Sequence, residues 1–386
     1  MEITGALFVT IVCVAAGLSL VTTIILIPHH TWHRPVFKFV AQTVSVLVTC
    51  LLILAAVGAI LNAQNHWFGS WSSLFTPPSA QSLTQTTYGA ELPRVQPAGH
   101  LVTGEPTSLQ RDPAHNPHLT GEIPADRSRG VYMHASVGGA VSHENHDVLI
   151  WLPPSYFTDP HRYFPVIMGF TGFPGATSNY SEAIDYGDMV LEQVHAGKMQ
   201  EPIVVVPDVS PGQLDSECVD GTAKDSPRVE TFVIKDLVPW LQQNLRTHHE
   251  RDGWATTGYS AGGWCATMFT MRHPEVFSAG MSQSGYFTPI YTEDQQWNDP
   301  HDPRYLLGDL VSRERPDVTL LFYTALDDPL ATSGLREFSA HVTAPTSLVV
   351  DTIKVGGHRT QVWVRGIPDQ LEKLAHAAPG FAAVKA

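Results

Sequence analysis

The stretch Trp254–Met268, WATTGYSAGGWCATM, constrains the fold more than any other part of the chain. A short apolar run ends in Gly258-Tyr259-Ser260-Ala261-Gly262, and an apolar run with helical spacing follows. G-x-S-x-G between a strand and a helix is a sharp turn that lifts a serine hydroxyl clear of the backbone. The glycines have a steric reason: Gly258 and Gly262 let neighbouring backbone pass where a Cβ would clash. The helix opening after Ser260 brings unpaired amides and the positive end of its dipole, both of which favour an oxyanion beside the hydroxyl. Gly and Ser are common residues, so the turn acquires meaning only if an acid and a base follow in the chain.

Both do. DVTLLFYTALDDPL is an apolar strand that delivers Asp327 and Asp328 at its carboxyl end, where loops of an open sheet converge. Asp328 is the favoured acid, because Ala325-Leu326-Asp327-Asp328-Pro329 matches a G-x-x-D-P turn with Ala in place of Gly. Asp327 is the alternative acid, or otherwise a turn or cap residue. SLVVDTIKVGGHRTQVWVRGIPDQL then gives a strand, a Gly-Gly turn, His358 and a helix. An imidazole with a pKa of about 6.5 takes a proton from a serine and returns it to a leaving group. The chain holds 19 histidines, so it is the place of His358 after the last strand that singles it out. The turn Gly169-Phe170-Thr171-Gly172-Phe173-Pro174-Gly175 should supply a second oxyanion donor, the Phe173 amide, beside that of Ala261. Thr171-Gly172 stands where His-Gly is more usual.

Upstream, VYMHASV, DVLIWLPPSYF, RYFPVIMGFTGFPG and EPIVVVPDVS read as strands. SEAIDYGDMVLEQVHAGK and VETFVIKDLVPWLQQNL read as helices, the second kinked at Pro239. Alternating strands and helices imply an α/β fold with a mostly parallel, doubly wound sheet. The aromatic, proline-rich insertion between Gly285 and Leu310 is either a wall of an acyl pocket or a plain surface loop.

Ahead of this domain lie two uncharged apolar runs, about 3–28 and 39–65, each exceeding the roughly 20 residues a helix needs to cross a bilayer. The start, MEITG, lacks the basic residue of a signal peptide. Arg34 and Lys38, between the runs, are the only formal positive charges before Arg94, which places this loop in the cytoplasm and everything after about residue 66 outside. Trp67 and Trp71 fall where an interfacial aromatic belt would sit. His29, His30 and His33 lack a partnering carboxylate or cysteine and read as a solvated loop. The expected organisation is a transmembrane hairpin over 1–66, an extracytoplasmic linker over 67–130 with Pro-, Ser- and Gln-rich composition, and a catalytic domain over 131–386.

Composition narrows the partners. A formal charge of −14 argues against a nucleic acid. The four cysteines form no C-x-x-C pair, and HENH (143–146) and HHE (248–250) lack the spacing of zinc protease motifs, so no metal and no organic cofactor is expected.

WLPPSYF, RYFPVIMGFTGFPG, GYSAGGWCATMFTMRHPEVFSAGMSQSG and VGGHRTQVW together resemble the Putative esterase family of α/β-hydrolases, over roughly residues 130–378. That family includes esterase-D-like enzymes, feruloyl esterases, enterochelin esterases and mycolyltransferases. The resemblance implies Ser260 as nucleophile, His358 as base and an Asp at 327 or 328 as third member. DSECVDG with GGWCA resembles a membrane-anchored actinobacterial branch, although mycolyltransferases generally carry Glu where this chain offers Asp. In an oxidising compartment Cys218 and Cys265 could form a disulfide over the site, two buried thiols being the alternative, while Cys13 and Cys50 are packing residues in the apolar runs. The expected activity is hydrolysis of a small-molecule, lipid or glycan ester through an acyl-serine. Acyl transfer to a sugar or other envelope hydroxyl is the alternative, and a non-catalytic envelope scaffold the third.

Overall fold

The computed structural model describes residues 2–31, 34–292, 295–299 and 301–384. His33 and parts of the 285–310 insertion therefore lie outside the described residues. The chain falls into two units: Met1–Ser82 with Ala325–Pro329 and Ile353–Val362, and the remainder.

The larger unit is built on a nine-stranded sheet. Its strands are β1 (Thr84–Gly89), β3 (Val131–Gly138), β4 (Asn145–Leu152), β6 (Val166–Phe170), β7 (Ile203–Pro207), β8 (Trp254–Tyr259), β9 (Ala279–Gln283), β10 (Thr319–Ala325) and β11 (Ser347–Ile353); β2 (Val102–Thr103) and β5 (Arg162–Tyr163) form a separate two-residue ribbon. The order is β1-β11-β10-β9-β8-β6-β7-β4-β3. From β7 to β10 every pairing is parallel, whereas β3, β4 and β1 join antiparallel at the two ends. Strands buried on both faces need apolar residues at successive positions, and β6 and β7 are buried throughout. The two-residue period still sorts them: Val166, Met168 and Phe170 pack on one face with helix Ala261–Arg272, and Ile167 on the other with helices Tyr186–His195 and Thr360–Ala377. This is the α/β-hydrolase arrangement the sequence predicts.

Two local expectations meet a more specific outcome. Pro239 lacks an N–H to continue the preceding ladder, and the chain takes a wide π-helical stretch at Phe232–Leu237 before resuming at Val238–Asn244. Within the expected linker, Thr84–Gly89 is an edge strand paired antiparallel with β11 from Thr84↔Thr352 to Gly89↔Ser347. Its sequence, TQTTYG, is almost wholly exposed and carries no apolar alternation, so backbone pairing orders it rather than burial. Further along, Thr107 and Gln110 form a reciprocal capping box.

The smaller unit contains two helical stretches, Ala6–His29 and Pro35–Asn65, with mean hydropathies of 2.5 and 2.8, long and apolar enough to cross a membrane. They pack against each other through a polar cluster in which Thr23 Oγ1 lies 2.5 Å from Ser45 Oγ and 2.9 Å from Thr49 Oγ1, while Ser19 Oγ lies 2.8 Å from Thr49 Oγ1. Interhelical hydroxyl pairs of this kind hold apolar helices in register where there is no water to compete. The second helix stops at His66, whose positive φ of 54° turns the chain and whose N–H donates to the Asn62 carbonyl at 2.8 Å. Asn62 then clasps Phe68, accepting from its N–H at 2.8 Å and donating to its carbonyl at 3.1 Å.

Candidate active site

The serine turn has the strained geometry its motif requires. Ser260 sits at φ 57°, ψ −126°, a region side chains rarely adopt, between the fully buried β8 and helix Ala261–Arg272. Its N–H donates to the Gln283 carbonyl of neighbouring β9 at 2.9 Å, and its carbonyl accepts from Gly263 and Trp264 at 2.9 and 3.2 Å. The flanking glycines are obligatory, since a Cβ on Gly258 would meet the Gly262 carbonyl at 2.1 Å and one on Gly262 would meet the Phe170 carbonyl at 2.1 Å. The turn after β6 runs beside the serine: a Cβ on Gly172 would lie 3.1 Å from the Ser260 Cβ. Phe173 follows directly in that turn, and Ala261 opens the helix. Ser260, Ala261 and the Phe173 turn are thus brought together within the larger unit.

In the smaller unit the loops after β10 and β11 bring the other two predicted residues together. Asp328 is fully buried and its Oδ2 lies 2.8 Å from His358 Nδ1. The His358 side chain is 9% exposed, so the bond is shielded from water. Asp327 points elsewhere: its Oδ1 accepts from the Gly356 and Gly357 N–H groups at 2.7 and 2.8 Å, and its Oδ2 accepts from Ser70 Oγ at 2.7 Å. Gly357 holds φ +68°, the backbone that lets the turn present His358.

Cys218 and Cys265 are joined in a disulfide, which ties the loop after β7 to the second turn of the elbow helix. The Trp264 indole N–H donates to the Glu217 carbonyl at 2.9 Å, and its ring stacks on Tyr286 at 6.2 Å. Glu217 is a buried acid that sequence reasoning missed. Burial pushes its carboxyl well above the usual range, against a 2.5 Å hydrogen bond from the Tyr286 hydroxyl. No motif announces it; the adjacent Cys218 is its only mark in the sequence.

A cavity of about 300 Å³ in the larger unit is lined by Tyr286, Phe287 and Ile290 from one end of the insertion, Leu307 from the other, and Leu330 and Phe338 beyond β10. Among the described residues no cluster of three or more His, Cys, Asp or Glu is arranged to hold a metal. His146 of HENH is buried between Glu144 and the Asp208 carbonyl, and the buried His248 of HHE has its pKa pushed down to about 4 by burial.

Residues 140–363 match the family described as Putative esterase. An uncharacterised protein of Corynebacterium glutamicum is 27% identical over 236 residues, covering 56% of this chain and 54% of that protein. An esterase of Mycobacterium tuberculosis is 34% identical over 143 residues, 36% of this chain and 29% of its own length. The chain therefore matches only about half, or less, of the length of these curated relatives. Among solved structures, a ferulic acid esterase superposes with a TM-score of 0.53 at 18% identity, over 64% of this chain and 98% of that one. An S-formylglutathione hydrolase from Agrobacterium tumefaciens gives 0.56 at 17% identity, over 68% and 99%. At such identities these likenesses establish the fold.

Proposed function

The chain belongs to the Putative esterase family, and from that premise we propose that it is a membrane-anchored serine esterase whose triad is Ser260, His358 and Asp328. In acylation Ser260 Oγ bonds to the ester carbonyl carbon while His358 Nε2 takes the hydroxyl proton. The tetrahedral oxyanion lies against the amides of Ala261 and Phe173. Collapse breaks the bond to the alcohol, which leaves with the proton from His358. Water then repeats the sequence on the acyl-serine and releases the acid. Asp328 holds Nδ1 and so fixes the tautomer that leaves Nε2 as the base.

The observation that carries this reading is the buried Asp328–His358 hydrogen bond, which lies downstream of a strained elbow serine in the required chain order. Topology supports it: β8, β9 and β10 run parallel, so chain leaving β8 at Ser260 and chain leaving β10 towards Asp328 exit at the same edge of the sheet. The cavity lined by Tyr286, Phe287, Leu330 and Phe338 suits the apolar part of an acyl group. The reading draws on the two apolar helices for a membrane anchor, and on Arg34 and Lys38 between them for a catalytic domain on the extracytoplasmic side.

The test is fluorophosphonate labelling of the purified chain and of Ser260→Ala, with p-nitrophenyl esters of increasing chain length, with and without trehalose. The esterase reading expects labelling and ester cleavage in the wild type, both abolished in the variant, with acid released into water. An acylated sugar would move the assignment to acyl transfer, and an unlabelled wild type would leave a scaffold.

A further inference from the structure

We infer that the segment leaving the second apolar helix, His66–Ser73, is a positioning element for the imidazole of His358, with Ser70 and Asp327 as its fastening; this rests on His358 being the base of the esterase. The observation is a run of bonds along one loop, all inside the smaller unit. Val355 exchanges two hydrogen bonds with the side chain of Gln81, at 2.6 and 3.0 Å. Gly356 and Gly357 donate to Asp327 Oδ1, and Ser70 Oγ holds the other oxygen of that carboxylate. The His358 N–H donates to the His66 carbonyl at 2.8 Å. The Arg359 guanidinium lies over the Phe68 ring at 4.4 Å and donates to the Ser73 carbonyl at 3.2 Å. Every residue from Val355 to Arg359 is therefore held by residues 66–82 or by a carboxylate that Ser70 holds.

The packing is close enough to be specific. A Cβ on Gly69 would stand 1.8 Å from the Asp327 carbonyl oxygen, and one on Gly357 would stand 2.4 Å from that of Trp67. A tether that only spanned a gap would need neither these glycines nor a buttressed carboxylate. Asp327 is not the acid that meets the imidazole. It meets the two amides that precede the imidazole, and so sets where the ring sits. Backbone that would be a mobile Gly-Gly turn is thereby fixed, and a base held within a fraction of an ångström of its working place is what general-base catalysis requires.

The experiment uses the full chain in detergent or lipid nanodiscs, with Ser70→Ala, Gly69→Ala and the conservative Ser70→Thr. The direct readout is the rate at which diethyl pyrocarbonate modifies His358, followed on its peptide by mass spectrometry. It reports the seating of the imidazole whichever residue is the nucleophile. The second readout is kcat and KM for a p-nitrophenyl ester, with thermal unfolding as a check that each variant is folded. The expected result is several-fold faster modification of His358 in Ser70→Ala and Gly69→Ala, with kcat lowered roughly ten- to a hundredfold, KM within about twofold of wild type, and recovery in Ser70→Thr. His358 modification or kcat at the wild-type value in both disruptive variants would overturn the inference. Retained ester cleavage in Ser260→Ala would instead sink the nucleophile assignment, and the His358 modification rates would still decide whether the segment positions the ring.

Discussion

Asp327 and Asp328 show how neighbouring carboxylates acquire different work from their partners alone. One faces two amides and a serine hydroxyl, the other an imidazole. Glu230 shows the same principle away from the serine. Burial by itself would raise its pKa, but hydrogen bonds from His273 and Arg272, the charge of Arg272, and the Tyr305 hydroxyl outweigh it and bring the carboxyl down to about 2. A carboxylate held below its unfolded value of 4.5 favours the folded state above that pH, and the benefit drains away as pH falls from 4.5 towards 2. The contribution at neutral pH is about 3 kcal/mol. In Glu230→Gln, thermal unfolding near pH 7 should shift to lower temperature, and the gap from wild type should close between pH 4.5 and 2. A gap that stays constant with pH would contradict the assignment. The elbow turn at Ser260 and the Gly-Gly turn before His358 were legible from sequence because each is a short motif with a local steric reason. The work of Asp327 was not, because its serine partner lies 257 residues away. The choice of Asp328 over Asp327 could be argued from the Asp-Pro turn, but only the hydrogen bonds distinguish what each carboxylate holds.

At the scale of elements, the elbow helix and the loop after β7 behave as one piece. Glu217 and Cys218 both hold positive φ, 47° and 56°, in a loop fastened by the disulfide to Cys265 and by the Trp264 indole to the Glu217 carbonyl. Such a backbone persists only when its surroundings over-determine it. The disulfide closes a span of 47 residues, and removing a cross-link over a loop of that length releases chain entropy worth about 4 kcal/mol. Cys218→Ser together with Cys265→Ser should therefore lower the unfolding midpoint by several degrees and increase the accessibility of Trp264 to a fluorescence quencher. An unchanged midpoint would mean that the remaining contacts suffice to order the loop. Sequence reading found both cysteines but not their separation, since pairing is a property of the folded loop. The edge strand β1 was invisible for a related reason: its order comes from the backbone of β11, a partner more than two hundred residues downstream, and its own side chains carry no signal. The central strands and their flanking helices were readable because burial on both faces writes itself into the composition.

For the whole molecule the proposal to test is that the two apolar helices span a membrane as a hairpin. The two helical stretches, of 24 and 31 residues, are about 36 and 46 Å long, against a hydrocarbon core of about 30 Å. Both can span, and the second ends in the polar residues Asn62 and Asn65, with the exposed aromatics Trp67 and Trp71 following it. Arg34 and Lys38 lie between the helices, and no other formal positive charge precedes Arg94. In the proposed topology these basic residues stay on the cytoplasmic side, which sets both flanks outside and the disulfide-bearing part of the chain in the oxidising compartment. The cysteines make this measurable: Cys13 and Cys50 lie in the apolar helices and can be replaced by Ala, while Cys218 and Cys265 are joined to each other. In that background Lys38→Cys and Val95→Cys, the latter replacing a side chain 78% exposed, each introduce a single reporter thiol. A membrane-impermeant maleimide applied to intact cells should label position 95 and leave position 38 unlabelled until the membrane is permeabilised. The reverse pattern would put the serine and its partners in the cytoplasm, where a disulfide would not persist. Labelling of both positions in intact cells would mean that the helices do not form a spanning hairpin.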